Sequence, residues 1–166
     1  MQIVRHAAIP VLLAGVLALP ASAASAPDHD PLRFFEGRTE SISTVKVLFH
    51  KSYRTRAIGT GHIRPNGTLE LVQQVERAGQ PTKVRRWLIR EVGDGHYSGK
   101  MSDAVGPVSI EEVDGRYRFR FRMKGNLAVE QWVTPRDDWR SASNRLTIKR
   151  FGIKVGSSEG VIRKIA

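Results

Sequence analysis

Eight consecutive residues, Arg116-Tyr117-Arg118-Phe119-Arg120-Phe121-Arg122-Met123, alternate without exception between arginine and a large apolar side chain. Successive side chains leave opposite faces only in an extended strand, so the run predicts a strand with one arginine face and one aromatic face. Burying four unpaired guanidiniums would cost on the order of several kcal/mol each. The aromatic face therefore points inward and the arginines outward. Asp114-Gly115 precedes the run and Gly125-Asn126 follows it. Such dipeptides favour tight hairpins, whose central residues need positive φ.

The pattern recurs along the chain. Val45, Val47 and Phe49 alternate with Lys46 and Leu48. Leu69, Leu71 and Val75 alternate with Glu70, Gln74 and Glu76, and Val129 and Val133 with Glu130 and Trp132. Further turn signals stand at Asn66-Gly67, Gly93-Asp94-Gly95, Gly152 and Ser157 to Gly160. Strands joined by tight hairpins make a meander, and a long meander loses its exposed edges only by closing. The expectation is an all-β fold, an antiparallel up-and-down barrel of about 8–10 strands over residues 32–166. Such a barrel has an interior that is filled by side chains or sized for a small ligand. Leu32 to Gly37 (LRFFEG) is expected to form a helical turn or short plug.

The first 23 residues read as a secretory signal. Arg5 and His6 give a basic start, Ala7 to Leu19 an apolar run too short to span a bilayer, and Ala21-Ser22-Ala23 a small-x-small cleavage site. Cleavage is expected before Ala24, followed by a flexible lead over residues 24–31 and delivery to the periplasm. The chain has no cysteine, which excludes a lipoprotein anchor, a disulfide and a thiolate metal site. The formal charge is +11, and loss of Arg5 with the signal leaves +10, an excess that attracts polyanions.

Several motifs together resemble the DUF3833 family of bacterial envelope proteins. Asp30 with Phe34-Phe35-x-Gly37 is similar to the family's opening Asp-x-x-x-Phe-Phe-x-Gly. Trp87-x-Ile89, Gly93-Asp94-Gly95-x-Tyr97-x-Gly99 and Asp103-x-Val105-Gly106 resemble its central hairpin. Asp137-Asp138-Trp139, then Asn144-Arg145 and Phe151-Gly152-Ile153-Lys154-Val155-Gly156, resemble its C-terminal signatures. The resemblance covers Asp30 to Lys164. It implies a calycin barrel of the lipocalin type and a weak link to lipid metabolism. It implies no catalytic residue, because no activity is established for the family. Two departures stand out: the lipid-bearing cysteine is absent, and the stretch between Trp139 and Asn144 is short.

Candidate sites follow from this frame. Phe49, Trp87, Tyr97, Tyr117, Phe119, Phe121, Trp132 and Phe151 are the candidates to line the interior, either packed solid or around an apolar ligand. Arg116, Arg118, Arg120 and Arg122, with Lys149 and Arg150, form a candidate basic face; Lys83, Arg85 and Arg86 are further cations. That face suits an anionic membrane better than nucleic acid, since alternation leaves it without aromatic stacking partners. Asp94, Asp103, Asp137, Asp138 and His96 read as turn chemistry. His50 and His62, on neighbouring strands, make two metal ligands without a third. No cofactor or metal is expected, and no motif argues for an enzyme. The leading expectation is a non-catalytic barrel for an apolar or amphiphilic, fatty-acyl-like ligand. An envelope module acting through its basic face is the alternative, and an enzyme on a calycin-like barrel the third. The first prediction concerns export. Intact-mass analysis of the exported protein should find a chain starting at Ala24, and a full-length mass in the membrane fraction would count against it.

Overall fold

The computed structural model describes residues 30–165. The expected signal and nearly all of the expected lead lie outside the described residues. Asp30 and Pro31, assigned to that lead, instead start a helix. The Asp30 carboxylate accepts the Leu32 N–H at 2.8 Å, and Pro31 occupies the first turn, where its missing N–H costs nothing. This single-turn helix is α1 (Pro31–Phe34).

Ten strands follow: β1 (Gly37–Val47), β2 (Tyr53–Ile63), β3 (Leu69–Arg77), β4 (Lys83–Gly93), β5 (His96–Met101), β6 (Val108–Val113), β7 (Arg116–Met123), β8 (Leu127–Pro135), β9 (Ser141–Arg150) and β10 (Ile153–Lys164). Each pairs antiparallel with the next, and β10 pairs with β1, so the sheet is a closed up-and-down barrel. The hairpin between β6 and β7 turns on Asp114 and Gly115, both with positive φ, as the dipeptide predicted. Ser157 to Gly160 is no turn; it lies within β10. Its small residues serve close approach instead: a Cβ on Gly160 would come within 2.2 Å of the Ile42 carbonyl oxygen on β1.

The two ends differ. At one, α1 plugs the barrel with Leu32 and Phe34 buried, and Phe35 packs edge-on against Phe34 with ring centroids 5.0 Å apart. The elbow after the helix rests directly on β2, where a Cβ on Gly61 would stand 2.0 Å from the Phe35 carbonyl oxygen. Only glycine lets the plug seat there. Both described chain ends meet at this closed end: Lys164 Nζ donates to the Arg33 carbonyl at 3.0 Å, and the Ile165 N–H to the Arg38 carbonyl at 3.0 Å. The opposite end carries the turns β1–β2, β3–β4, β5–β6, β7–β8 and β9–β10, and among the described residues no helix covers it.

Along β7 the side chains face as the alternation requires. Tyr117, Phe119 and Phe121 are buried, Met123 packs beside the core, and Arg116, Arg120 and Arg122 are exposed. Arg118 is half-buried on the outer face, where it and Arg120 pair with Glu111 of β6. The order of energetic cost follows. Phe119→Ala should destabilise by about 3–5 kcal/mol, the range for a buried ring, and Arg118→Ala by much less. Urea melts of the two variants check this, and the reverse order would mean that the strand is inside out.

Candidate functional site

The barrel interior is not filled evenly. Trp87 of β4 stands edge-on to Phe119 and Phe121 of β7, at centroid distances of 6.4 and 5.9 Å. Across from these rings, β1, β2 and β10 send in Ser41, Ser43, Thr55, Ala57 and Ser158, which are too short to reach the axis. A cavity of about 440 Å³ remains between the two walls. That lies within the roughly 300–1,000 Å³ of small-molecule sites. Its floor is Phe35, Ile89, Phe119 and Ile162, just above the plug, and its mouth is the uncovered end, at Tyr53, Arg77, Gln80, Pro81 and Lys83.

A second void near the plug, among Leu32, Phe34, Tyr97, Tyr117 and Trp139, holds only about 20 Å³. That is room for about one water. Tyr97 and Tyr117 meet there edge-on at 6.5 Å. Burial raises the Tyr97 phenol and lifts Tyr117 to about 12, so both remain neutral through ordinary pH.

Cations line the mouth. On β4 the inward positions are Lys83, Arg85, Trp87 and Ile89, so the strand that supplies the deepest ring also supplies two charges above it. On β3, Arg77 occupies the inward position two beyond Val75, and its guanidinium lies over the Tyr53 ring at 3.6 Å. Asp103 bends in from the β5–β6 turn to meet Lys83 Nζ at 3.0 Å and Arg85 Nε at 3.1 Å. Two of the three mouth cations thus share one carboxylate, and the third, Arg77, is held by the Tyr53 ring. Burial alone would raise the Asp103 pKa, but the Lys83 hydrogen bond and the Arg85 charge outweigh it and hold the group below its ordinary value. The deeper polar groups bond to one another. Trp87 Nε1 donates to Gln73 Oε1 at 2.8 Å, and Gln131 Nε2 to Asn144 Oδ1 at 2.9 Å. Among the described residues, no Asp, Glu or His lines the cavity and no three His, Cys, Asp or Glu gather to hold a metal. The site can take an apolar body along the aromatic wall and an anionic group at the mouth.

The structure brings together Trp87, Phe119 and Phe121 of the expected lining, and seats Tyr97 and Tyr117 around the plug. Three residues of that lining lie elsewhere. Phe49 and Phe151 are not on strands; they sit exposed in the β1–β2 and β9–β10 turns with φ of 63° and 49°. Trp132 has the opposite parity to Val129 and Val133 and therefore lies on the outer face, under the guanidiniums of Arg116 at 4.7 Å and Arg118 at 5.4 Å. The basic face thus does carry an aromatic platform, contrary to the expectation from alternation. Lys149 and Arg150 belong to the open end of β9 rather than to the β7 row. His50 and His62 do not pair: His50 is in the open-end turn and His62 near the closed end of β2.

The family-signature residues are mostly structural. Phe34 and Phe35 form the plug, and Gly37 opens β1 with φ 83°. Asp138 accepts the Arg140 and Ser141 N–H groups at 2.9 and 3.2 Å, and Trp139 packs against the core beside the plug. Asp137 is exposed in the same turn. Arg145 pairs with Glu159 outside at 3.4 Å, while Asn144 of the same strand lines the cavity. Gly152 takes φ 82° in its turn, and Gly156 follows a bulge in the β9–β10 register, packed near Lys46.

A family model described as "Protein of unknown function (DUF3833)" matches residues 11–164. No curated protein matches the chain. The barrel is similar to the S-type phycobiliprotein lyase CPES of Guillardia theta, with a TM-score of 0.64 at 8% identity over 81% of this chain and 90% of that one. It is also similar to a protein of the DUF3598 family from Nostoc punctiforme, with a TM-score of 0.58 at 10% identity. That likeness covers 86% of this chain and about half, 53%, of the other. At such identities the likeness establishes the fold, a lipocalin-like barrel.

The Asp103 cluster has a pH signature. A carboxylate whose folded pKa is depressed contributes stability above its unfolded pKa and loses it as pH falls through the folded value. Asp103→Asn should therefore be less stable than the parent at pH ~7, with the gap closing below pH ~4, the carboxylate range. Urea melts across that range measure it; a constant gap would mean that the charge contributes nothing.

Proposed function

The chain belongs to the DUF3833 family, and from that premise we propose that it is a non-catalytic periplasmic barrel that binds an apolar or amphiphilic, acyl-like ligand. The observation that carries this reading is the cavity of about 440 Å³, apolar on its deep wall and cationic at its open mouth. A solid core would have left the barrel only a structural role. Each CH₂ transferred into such a wall is worth ~0.8 kcal/mol, so a chain binds there without specific polar recognition. Lys83, Arg85 and Arg77 then face the carboxylate or phosphate head, with Arg85 able to offer paired N–H donors. The polar wall of Ser41, Ser43, Thr55 and Ser158 accommodates a ligand that is not purely hydrocarbon. Export supplies the location in this reading, since the first 23 residues have the form of a signal.

The alternative, an interaction module using the β7 arginine row, draws less support. Arg118 and Arg120 share Glu111, whose carboxyl is lowered first by the Arg118 hydrogen bond, and Arg116 and Arg118 cover Trp132. Those guanidiniums are already engaged.

Titration with a fluorescent fatty-acid probe tests the proposal. Binding should saturate, weaken in Phe121→Trp, which narrows the cavity, and weaken in Arg85→Gln, which removes a head-group partner. A probe with an uncharged head should respond to the first change and not to the second. No binding, or equal binding by all three proteins, would overturn the carrier reading.

A further inference from the structure

The three most exposed large apolar side chains of the described residues are Phe49, Phe151 and Ile153, at 101%, 73% and 67% of full exposure. All three lie at the open end, Phe49 and Phe151 in its turns and Ile153 at the first position of β10, and Leu48 joins them at 48%. Those turns are neighbours, because β1 pairs with β10 and the Leu48 N–H reaches the Val155 carbonyl at 3.0 Å. Phe49 and Phe151 also hold positive φ, a conformation that glycine or asparagine adopts at less cost than an aromatic residue. Neither ring packs into the core. Folding stability would place neither an aromatic in that backbone region nor its ring in water.

Charge sorts by the same geometry. The open-end turns and the strand ends beside them hold Lys51, Lys124, Lys149, Arg150 and Lys154 against Glu76 and Asp103, and Lys83 and Arg85 hold Asp103 inward. The closed-end turns are nearly balanced, with Asp94, Asp114, Asp137 and Asp138 set against Arg64, Arg136 and Arg140. Arg150 lies over the Phe151 ring at 5.5 Å, so cation and aromatic share one tip.

We propose that the paired tips Leu48–Phe49 and Phe151–Ile153, with the lysines and arginines around them, dock the open end of the barrel onto an anionic lipid bilayer. The rings enter the interfacial region, where aromatic side chains are favoured, and the cations face the headgroup charge, each attracted within a Debye length of the surface. Docked this way, the mouth of the cavity opens toward the membrane. A ligand can then pass between bilayer and barrel with little exposure of its chain to water. The docking surface itself does not depend on what the cavity holds.

Flotation of the full chain, as exported, with vesicles of phosphatidylglycerol and phosphatidylcholine tests this against vesicles of phosphatidylcholine alone. The protein should float with the anionic vesicles, and less as salt rises. Phe49→Asp with Phe151→Asp should lower the partition by about ten-fold or more, since two buried rings are lost. Both sites are exposed turns, so the circular dichroism melt should stay close to that of the parent. The pair should also retain the fluorescent fatty-acid probe in solution, which separates failure of docking from failure of the cavity. Equal flotation of the variant and the parent would overturn the proposal. So would a loss produced by Arg118→Glu with Arg120→Glu and not by the aromatic pair, because that result places the contact on the β7 face. Equal flotation with neutral vesicles would remove the electrostatic half.

Discussion

Closure of the sheet is the constraint from which the rest follows. β1 and β10 lie at opposite ends of the described chain, yet they pair in register from Thr39 against Lys164 to Val47 against Gly156. Without that ladder, two strands would present unpaired N–H and C=O groups along their length. With it, the meander becomes a vessel with an inside. The ladder is bought with small residues: Gly160 passes so close to Ile42 and Ser43 that a side chain could not be accommodated, and Gly61 does the same beneath the plug.

Those same small residues account for the cavity. A barrel of ten strands has a fixed girth, and whether it is hollow depends on how far side chains reach inward. The aromatic rows of β4 and β7 fill their half. The serine, alanine and glycine positions of β1, β2 and β10 cannot fill theirs. The residues that make closure sterically acceptable therefore also leave the interior unfilled on one side. The plug then turns a tube into a cup by closing one end with Leu32, Phe34 and Phe35.

Much of this was written in the alternation. Period two along β7 identifies which side is core, and the LRFFEG stretch, expected as a helical turn or short plug, is both. The turns were harder. Phe49 and Phe151 continue the apolar pattern in sequence, but the backbone has already left the strand in a left-handed conformation, which composition does not announce. Ser157 to Gly160 has turn composition and strand geometry, because small residues serve either close turns or close packing. The mouth cations were missed for a different reason. Counting back in twos from Trp87 places Arg85 and Lys83 on the inner face, and from Val75 forward places Arg77 there. Charge argued for the outside, and near an open rim that argument fails because water reaches the inner face as well. Trp132 is the mirror case: its ring argued for the inside, but parity put it under two guanidiniums.

Both described ends of the chain leave from the closed base, tied there by Lys164 to Arg33 and by Ile165 to Arg38. A tether joined directly at residue 30 or 165 therefore pulls on the base, and a short one leaves the rim pointing away from whatever it is fixed to. Hung from one surface, the cup offers its opening to a second. The covalent path alone thus gives the molecule a direction, and a terminally attached form would reach across a gap rather than lie face-down on its own support.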